Sequence, residues 1–395
     1  MRKEMRKTIG IVTATRAEWG LLRPLAKLIQ NDPIFNLFLA ATGTHFLEEF
    51  GNTSKEIIAD GFTIDARVDI IRSEIKGPAD VSNTMAYAIS GFADLFSKNH
   101  IDLLILLGDR YETLAVAIAA MNAKIPIAHL HGGELTEGAI DDSIRHSITK
   151  LSYLHFTGCE AYRRRVIQLG EQPNRVYNVG AIGIDNIRQM KLLSREELSS
   201  AIGFDVTDSK YAVVTYHPET LNGNVKYQCG QLLEALSAFP DMKFIITKSN
   251  ADEGGLIINE MVDDYAKDHA NVLAVSSLGN LKYLSVLKHA AVVIGNSSSG
   301  IVEAPYFKIP TVNIGIRQRG RIQAESIINC NAVASEIAGA VKEALSDEFR
   351  MRAAKSVYPY GDGHASEKIV AVLHEWLDNE RIDLKKEFYD MVVTK

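Results

Sequence analysis

Carboxylate side chains cluster after two apolar runs in the first half of the chain, and their spacing suits general acid–base chemistry. Asp109 directly follows one run, and Glu134, Asp141 and Asp142 come after the next. Carboxyl groups crowded at one edge of a sheet push each other's pKa values apart, so that one can serve as base and another as acid. The simpler alternative for Asp109 and Asp142 is that they cap neighbouring helices. We predict an acid–base site built from these four residues.

Two histidines accompany the carboxylates. His129 and His131 alternate along one predicted strand and would therefore share a side of the sheet. With Glu134 they could bind a metal ion, but the companion motifs suit phosphate and sugar, and no cysteine joins them. We therefore predict no metal site here.

Further candidates end other apolar runs. His217 lies between a strand and a proline, where it could contact a phosphate as a cation or protonate a leaving group. A lone histidine is more often structural, which is the alternative. Arg16 and His45 end two neighbouring strands, and Arg16 is well placed for a phosphate.

The segment Gly-Asn-Ser-Ser-Ser-Gly at 295–300 is the best candidate for an anion site, because it joins a strand to a helix. The first free N–H groups of that helix and the hydroxyls of Ser297 and Ser298 would hold a phosphate. A plain helix cap is the alternative. Glu303, one turn into the helix, could accept hydrogen bonds from ribose hydroxyls. The alternative is that its carboxylate only stabilises the N-terminus of the helix.

Three arginines follow the last predicted strand. Arg317, Arg319 and Arg321 fall within five residues and are accompanied by glycines. Their guanidinium groups could clamp a diphosphate, whereas the alternative is a solvated loop.

The elements that position these residues alternate regularly between strand and helix. Because ligands bind beyond the carboxyl ends of parallel strands, every polar cluster would lie on a binding edge. The alternation predicts the α/β class, with two Rossmann-like doubly wound domains and the ligand between them. The predicted strands are 8–13, 36–41, 101–107, 125–130, 153–157, 175–179, 211–215, 243–246, 272–275, 291–294 and 311–314. The predicted helices are 21–30, 83–97, 112–122, 143–151, 160–169, 225–238, 255–268, 281–288, 332–344 and 365–377.

Composition limits the class of protein. A chain of 395 residues is long enough for two domains, and its formal charge of −6 gives no reason to expect nucleic acid or an anionic membrane as partner. The cysteines Cys159, Cys229 and Cys330 are odd in number and far apart, which argues against disulfides and zinc. No secretory or membrane-spanning stretch is recognisable, so we expect a cytoplasmic protein.

Taken together, these motifs resemble those of the hydrolysing UDP-N-acetylglucosamine 2-epimerases over nearly the whole chain. The likeness rests on Thr-Arg-Ala-Glu at 15–18, Gly-Asp-Arg-Tyr-Glu at 108–112, His-Gly-Gly-Glu at 131–134, Asp-Asp-Ser-Ile-Arg-His at 141–146, His-Pro-Glu-Thr at 217–220, Ser-Asn-Ala-Asp at 249–252 and the segment 295–300. The resemblance implies a glycosyltransferase-B architecture. It implies a first domain at 1–185, onto which 363–395 packs back, and a UDP-binding domain at 186–362.

The resemblance also implies the reaction. A UDP-linked 2-acetamido sugar would yield UDP and the free C2 epimer, N-acetylmannosamine if the substrate is UDP-N-acetylglucosamine, for sialic-acid-type biosynthesis. Some similar proteins take UDP-2,4-diacetamido-2,4,6-trideoxy sugars on the way to legionaminic-type acids. A glycosyltransferase on the same architecture and a non-catalytic nucleotide-sugar binding protein are further alternatives. No cofactor is implied, because the reaction has no net redox change, and a homodimer or homotetramer is expected.

Residue roles follow from the resemblance as expectations. The base and acid work falls to Asp109, Glu134 and Asp141 or Asp142. Several family members carry Glu where His131 stands, so His131 is expected to assist proton transfer or hold the sugar, as is His45. Stabilisation of the departing diphosphate falls to His217 and Arg16. Residues expected to bind the UDP-sugar are Arg110, Asn250, Asp252, Ser297, Ser298, Glu303, Arg317 and Arg321.

Overall fold

The structure of the protein, a computed structural model, describes residues 6–72, 77–135, 140–218, 224–249, 254–379 and 381–391. The chain forms two compact units. One consists of Met1–Arg188 together with Tyr360–Lys395, and the other of Gln189–Pro359. None of the helices in the described ranges is both long and apolar enough to span a lipid bilayer.

Strands and helices alternate in both units. The strands are β1 (Lys7–Thr13), β2 (Phe35–Thr42), β3 (Ala66–Val68), β4 (Leu103–Leu107), β5 (Ile127–Leu130), β6 (Leu154–Thr157), β7 (Val176–Asn178), β8 (Tyr211–Thr215), β9 (Lys243–Thr247), β10 (Val272–Val275), β11 (Val292–Gly295), β12 (Thr311–Ile314) and β13 (Ile327–Cys330). The helices are α1 (Arg16–Asn31), α2 (Ser54–Ala59), α3 (Pro78–Lys98), α4 (Tyr111–Asn122), α5 (Asp141–Leu151), α6 (Glu160–Gln168), α7 (Gly183–Gln189), α8 (Arg195–Ile202), α9 (Val225–Leu236), α10 (Gly255–Asp268), α11 (Gly279–His289), α12 (Ser299–Tyr306), α13 (Ala334–Leu345), α14 (Asp347–Lys355) and α15 (Ala365–Leu377).

The first unit contains a sheet in which every pairing between described strands is parallel. Its strand order is β3-β2-β1-β4-β5-β6-β7, so the order reverses between β1 and β4. The central strand β4 is buried along its whole length, because its sequence Leu-Leu-Ile-Leu-Leu meets apolar layers on both faces. The carboxyl ends of β4 and β5 deliver the loops that carry Asp109, His131 and Glu134.

The last helix belongs to the core of the first unit. Helix α15 packs against α1, and its Leu373 and Trp376 are buried. The buried carboxylate of Asp185 accepts hydrogen bonds from the backbone N–H groups of Ala365 and Ser366, at 2.9 and 2.6 Å. This satisfies two of the otherwise unpaired N–H groups at the start of α15.

The second unit repeats the architecture with its own core. Its parallel sheet has the order β10-β9-β8-β11-β12-β13, and the order reverses between β8 and β11. In doubly wound sheets such a reversal opens a crevice for ligands at the carboxyl edge. The predicted α/β class with two Rossmann-like doubly wound domains is therefore confirmed.

Candidate functional site

Arg145 on α5 joins three of the predicted carboxylate positions at the carboxyl edge of the first sheet. One Nη atom donates to Asp109, and the other donates to Asp142 Oδ1 at 2.5 Å and to the backbone oxygen of Glu134 at 2.8 Å. Only 3% of the Arg145 side chain is exposed. A buried guanidinium is stable only where it is paired, so this arginine fixes the loops after β4 and β5 relative to α5. The sequence analysis did not assign it a role.

Neither Asp109 nor Asp142 is the N-cap of a helix. The residue that caps α4 is Arg110, not Asp109, and the first turn of α5 contains Asp141 and Asp142 rather than being capped by Asp142. Burial, and then the nearby charge of Asp109, raise the pKa of Asp141. The surroundings of Asp141 thus favour its holding a proton.

His131 lies just beyond β5 in a conformation that is rare for a non-glycine residue, with φ of 65°. Its Nδ1 lies 2.7 Å from Glu134 Oε1 and donates to that carboxylate. Its Nε2 is buried and has no hydrogen-bond partner among the described residues. A histidine whose tautomer is fixed by a carboxylate presents its other nitrogen as a proton acceptor.

The two glycines after His131 serve packing. Gly133 has φ of 80°, and a Cβ there would lie 2.4 Å from the backbone oxygen of Tyr162. At Gly132 a Cβ would lie 3.1 Å from Thr149 Oγ1. The segments that approach the double glycine closely are thus α5 and α6 of the same unit.

His129 is structural. Its Nε2 donates to the backbone oxygen of Gly108 at 2.8 Å, so Nδ1 accepts from the Thr149 hydroxyl at 3.1 Å. Burial lowers its pKa to about 3, and the ring is neutral. Because both nitrogens are engaged, His129 has none left for a metal ion. In the ranges that the structure describes, no group of three or more His, Cys, Asp or Glu residues could hold one.

His45 does not have the exposure that its predicted role requires. It is fully buried, with Nε2 at 3.0 Å from Thr13 Oγ1 and Nδ1 at 2.8 Å from Thr53 Oγ1. Burial lowers its pKa to about 4. The ring joins the end of β1 to the segment before α2 and supports the sheet edge.

Arg16 and Arg110 both lie at this edge but differ in their surroundings. Arg16 starts α1, is largely exposed, and pairs with Glu56 at 3.0 Å. Arg110 donates from Nε to Glu112 Oε1 at 2.6 Å, and the same nitrogen lies 4.0 Å from Glu18 Oε1. The buried Glu18 and Glu112 were not among the predicted site residues. The one sequence signal for Glu18 is the capping box that it forms with Thr15.

Polar side chains that follow β9 and β11 contact His217 at the carboxyl edge of the second sheet. Asn296, which follows β11, accepts a hydrogen bond from the backbone N–H of His217 at 2.7 Å and donates to its backbone oxygen at 2.9 Å. The ring Nδ1 of His217 lies 3.1 Å from Ser249 Oγ, beyond β9. Asn296 is fully buried, so its two hydrogen bonds fix the backbone that carries the imidazole.

The predicted anion site lies at the start of α12 and follows a tight turn. Gly295 has φ of 134°, and a Cβ there would lie 1.9 Å from the backbone oxygen of Thr215, so only glycine allows this turn. Ser297 is half-buried and Ser298 is exposed at the helix start. Burial raises the pKa of Glu303, whose Oε2 has no hydrogen-bond partner among the described residues.

The arginine run after β12 is only partly directed at this edge. Arg317 donates to the backbone oxygen of Asn296 at 3.2 Å, and Gln318 donates to the same oxygen at 2.8 Å. Arg321 acts electrostatically on Glu303. The predicted ligand residues Asn250 and Asp252 lie outside the described residues.

Comparison with known proteins places the chain in a family. The family model of UDP-N-acetylglucosamine 2-epimerase matches residues 27–374. A GDP/UDP-N,N'-diacetylbacillosamine 2-epimerase (hydrolyzing) of Campylobacter jejuni is 41% identical over 390 residues, which cover 98% of this chain and 100% of the relative. The polysialic acid biosynthesis protein P7 of Escherichia coli is 38% identical over 387 residues, 98% of each chain.

A solved structure shares the fold. The UDP-GlcNAc 2-epimerase of Neisseria meningitidis bound to UDP-GlcNAc matches with a TM-score of 0.80 at 19% identity, covering 93% of this chain and 100% of that one. The likeness agrees with the expected glycosyltransferase-B class of two Rossmann-like domains. Because the family match and both relatives extend over most of the sequence, the chain belongs to the UDP-N-acetylglucosamine 2-epimerase family.

Proposed function

We propose that the protein is a hydrolysing 2-epimerase that converts a UDP-linked 2-acetamido sugar into UDP and the free C2-inverted sugar. The observation that carries the proposal is the group of acidic residues joined by Arg145 at the edge of the first sheet. A protein that only binds an anionic nucleotide gains little from carboxylates there. The name of the Campylobacter relative supports hydrolysis and a diacetamido-trideoxy sugar, and that of the Escherichia relative fits a sialic-acid route.

The reaction is an elimination followed by addition of water. A base removes the proton from C2 while UDP leaves from its axial position on the anomeric carbon C1. In an α-linked gluco sugar the C2–H bond and the C1–O bond to UDP are antiperiplanar. The product of this step is a glycal. Water then adds its oxygen to C1, and C2 receives a proton on the face opposite to the one from which the first proton was removed. The net change is hydrolysis with inversion at C2, so it needs two proton-transfer groups and no redox cofactor.

The first unit would supply those groups. The His131–Glu134 pair has an imidazole nitrogen able to accept a proton, and Asp141 has a raised pKa that suits a proton donor. Asp109 lies beside both Arg145 and Asp141 and completes the acid–base set. His45 is left out of this set, because it is enclosed and bonded at both nitrogens.

The second unit would hold UDP. The N-terminal end of α12, with the hydroxyls of Ser297 and Ser298, suits the diphosphate, and Glu303 suits the ribose hydroxyls. His217 would stabilise the departing diphosphate. For Arg16 and Arg110, the family resemblance implies contact with the UDP-sugar. Arg317 and Arg321 would add positive charge near the same nucleotide.

Turnover in deuterated water tests the proposal. Purified protein is incubated separately with UDP-N-acetylglucosamine and with UDP-2,4-diacetamido-2,4,6-trideoxyglucose, and the products are analysed by NMR and mass spectrometry. We expect free C2-epimerised sugar with one deuterium at C2 from at least one substrate. Unlabelled epimer would exclude proton abstraction at C2. Sugar transfer to an acceptor without free epimer would identify a glycosyltransferase, and binding without release of UDP would identify a binding protein.

A further inference from the structure

Two buried carboxyl groups lie behind Arg110 and are not used in the proposed reaction. The exposed fractions of Glu18 and Glu112 are only 9% and 4%. Glu18 Oε2 accepts hydrogen bonds from the backbone N–H groups of Ala14 and Thr15, at 2.6 and 3.2 Å. Glu18 Oε1 and Glu112 Oε2 are buried, and neither has a hydrogen-bond partner within the part of the chain that the structure describes.

The space beside these oxygens is too small for solvent to compensate them. Glu18 and Glu112 line a cavity of about 10 Å³, whose other walls include Val12, Thr42 and Leu106. That volume has room for roughly one water molecule. The charges of the two carboxylates must therefore be balanced by a protein cation or removed by a proton.

Arg110 is the cation that faces both carboxylates. Its Nε bonds to Glu112 and lies 4.0 Å from Glu18, while about half of its side chain is exposed. The other ionisable groups around Glu18 do not help, because Arg16 pairs with α2 and burial keeps His45 neutral. One guanidinium thus serves two buried carboxylates. Burial raises the pKa of Glu18 to about 7, in agreement with incomplete compensation.

Arg110 also acts on one of the predicted acid–base groups. Its positive charge influences Asp141 as well as the buried Glu18, so one guanidinium couples the two electrostatically. An anionic ligand that reaches the exposed part of Arg110 would share its charge and leave the buried carboxylates less compensated.

We infer, on the basis of the proposed function, that Glu18 is a positioning residue for Arg110 and takes up a proton from solvent when the diphosphate of a nucleotide engages that guanidinium. Protonation leaves Glu112 as the only charged partner behind Arg110. The arginine can then turn its charge toward the ligand without leaving two buried anions behind it. Nucleotide binding is thereby coupled to proton uptake.

Calorimetry with UDP as the probe tests this coupling. Heats of binding are measured at pH 7 in two buffers that differ in ionisation enthalpy, and their difference gives the protons taken up. We expect Glu18→Gln to take up fewer protons than the wild type by at most about half a proton, since a group near its pKa is half protonated beforehand. The phosphate of UDP titrates equally in all variants and cancels in this comparison.

Glu197→Gln is the matched control. Glu197 forms the same capping box, with its carboxylate accepting from the Ser194 N–H at 2.8 Å, but on the exposed start of α8. We expect it to retain wild-type proton uptake, and we expect Glu112→Gln to lower uptake because it removes the competing anion.

Equal uptake by Glu18→Gln and the wild type would overturn the inference. If Glu18→Gln fails to fold by circular dichroism, unchanged uptake in Glu112→Gln overturns it instead. Failure of the wild type to bind UDP would contradict the proposed function itself, which is a different result from binding without uptake.

Discussion

The two sheets have the same strand order over their first six strands, but their carboxyl edges differ in chemistry. The first edge gathers Asp109, Asp142 and the backbone of Glu134 on the buried cation of Arg145. The second edge is held by the neutral amide of Asn296, which clamps the backbone of His217. The same scaffold therefore carries a network centred on a buried cation in one unit and one centred on a neutral amide in the other, because the loops and not the sheet decide the chemistry.

The difference predicts how each edge responds to substitution. Removing one member of a buried charged group leaves its partners uncompensated and costs several kcal/mol, whereas a lost neutral hydrogen bond costs about 1 kcal/mol. The carboxyl and imidazole groups at the first edge can also exchange protons with a substrate, while the amides and hydroxyls of the second can only bind, and its His217 is expected to act on the departing diphosphate. We expect the first edge to govern turnover and the second to govern nucleotide affinity.

The largest effect is expected from Arg145→Met, which removes the cation shared by Asp109 and Asp142. We expect the free energy of unfolding to fall by about 3 kcal/mol. This value is at the lower end of the range for a broken buried ion pair, because both aspartates are partly exposed. Turnover should be lost as well. Denaturant unfolding measures the change, with Arg164→Met in the exposed pair with Glu160 as the control. A loss below about 1 kcal/mol would show that the network does not hold these loops.

Asp109→Asn tests the division between turnover and affinity. We expect kcat to fall by about 10²- to 10⁴-fold, the usual contribution of an acid–base group, while the Kd for UDP stays within about tenfold. Asp102→Asn is the control, because Asp102 lies at the other end of β4, where its carboxylate accepts a hydrogen bond from the Thr8 N–H at 2.8 Å. If Asp109→Asn instead abolishes UDP binding, Asp109 has a structural role and the contrast between the two edges fails.

Stability should depend on pH through the first edge. The pKa of Glu18 in the folded protein, about 7, lies above its ordinary value of 4.5, so the folded state holds more protons than the unfolded state between these two values. This carboxyl group therefore makes the wild type less stable as pH rises from about 4.5 to 7. Glu18→Gln lacks the titration, and its stability relative to the wild type should increase over that window by at most about 3 kcal/mol. Unfolding at several pH values measures the difference, and a pH-independent difference would contradict it.

The smallest effect is expected from Asn296→Ala at the second edge. Loss of the two hydrogen bonds to the His217 backbone should weaken UDP binding by about tenfold, while kcat at saturating substrate changes less. Asn313→Ala provides the comparison, because that buried amide bonds to Asn329 at 2.8 Å within the same sheet. It should reduce stability without a selective loss of UDP affinity. A larger fall in kcat than in affinity for Asn296→Ala would reverse the expected division of labour.

The sequence predicted the bounds of helices and strands correctly where the apolar pattern of a segment and its length indicated the same element. Strands β8, β10 and β12 and helices α10 and α15 have the predicted bounds. The short edge strands β3 and β13 were missed because neither is a continuous apolar run, and β13 is only partly buried. Helix α1 begins five residues before its predicted start, since its polar first turn is fixed by the capping box of Thr15 and Glu18.

The sequence by itself determined the two doubly wound units and the edges at which chemistry-bearing residues end their strands, because burial of parallel strands imposes a local apolar pattern. Tertiary structure alone decided which of those residues meet. Arg145 becomes the centre of a charged network, His45 and His129 become buried supports, and Glu18 becomes a buried acid with a raised pKa. Their roles depend on distances between segments far apart along the chain, which no local pattern of residue types encodes.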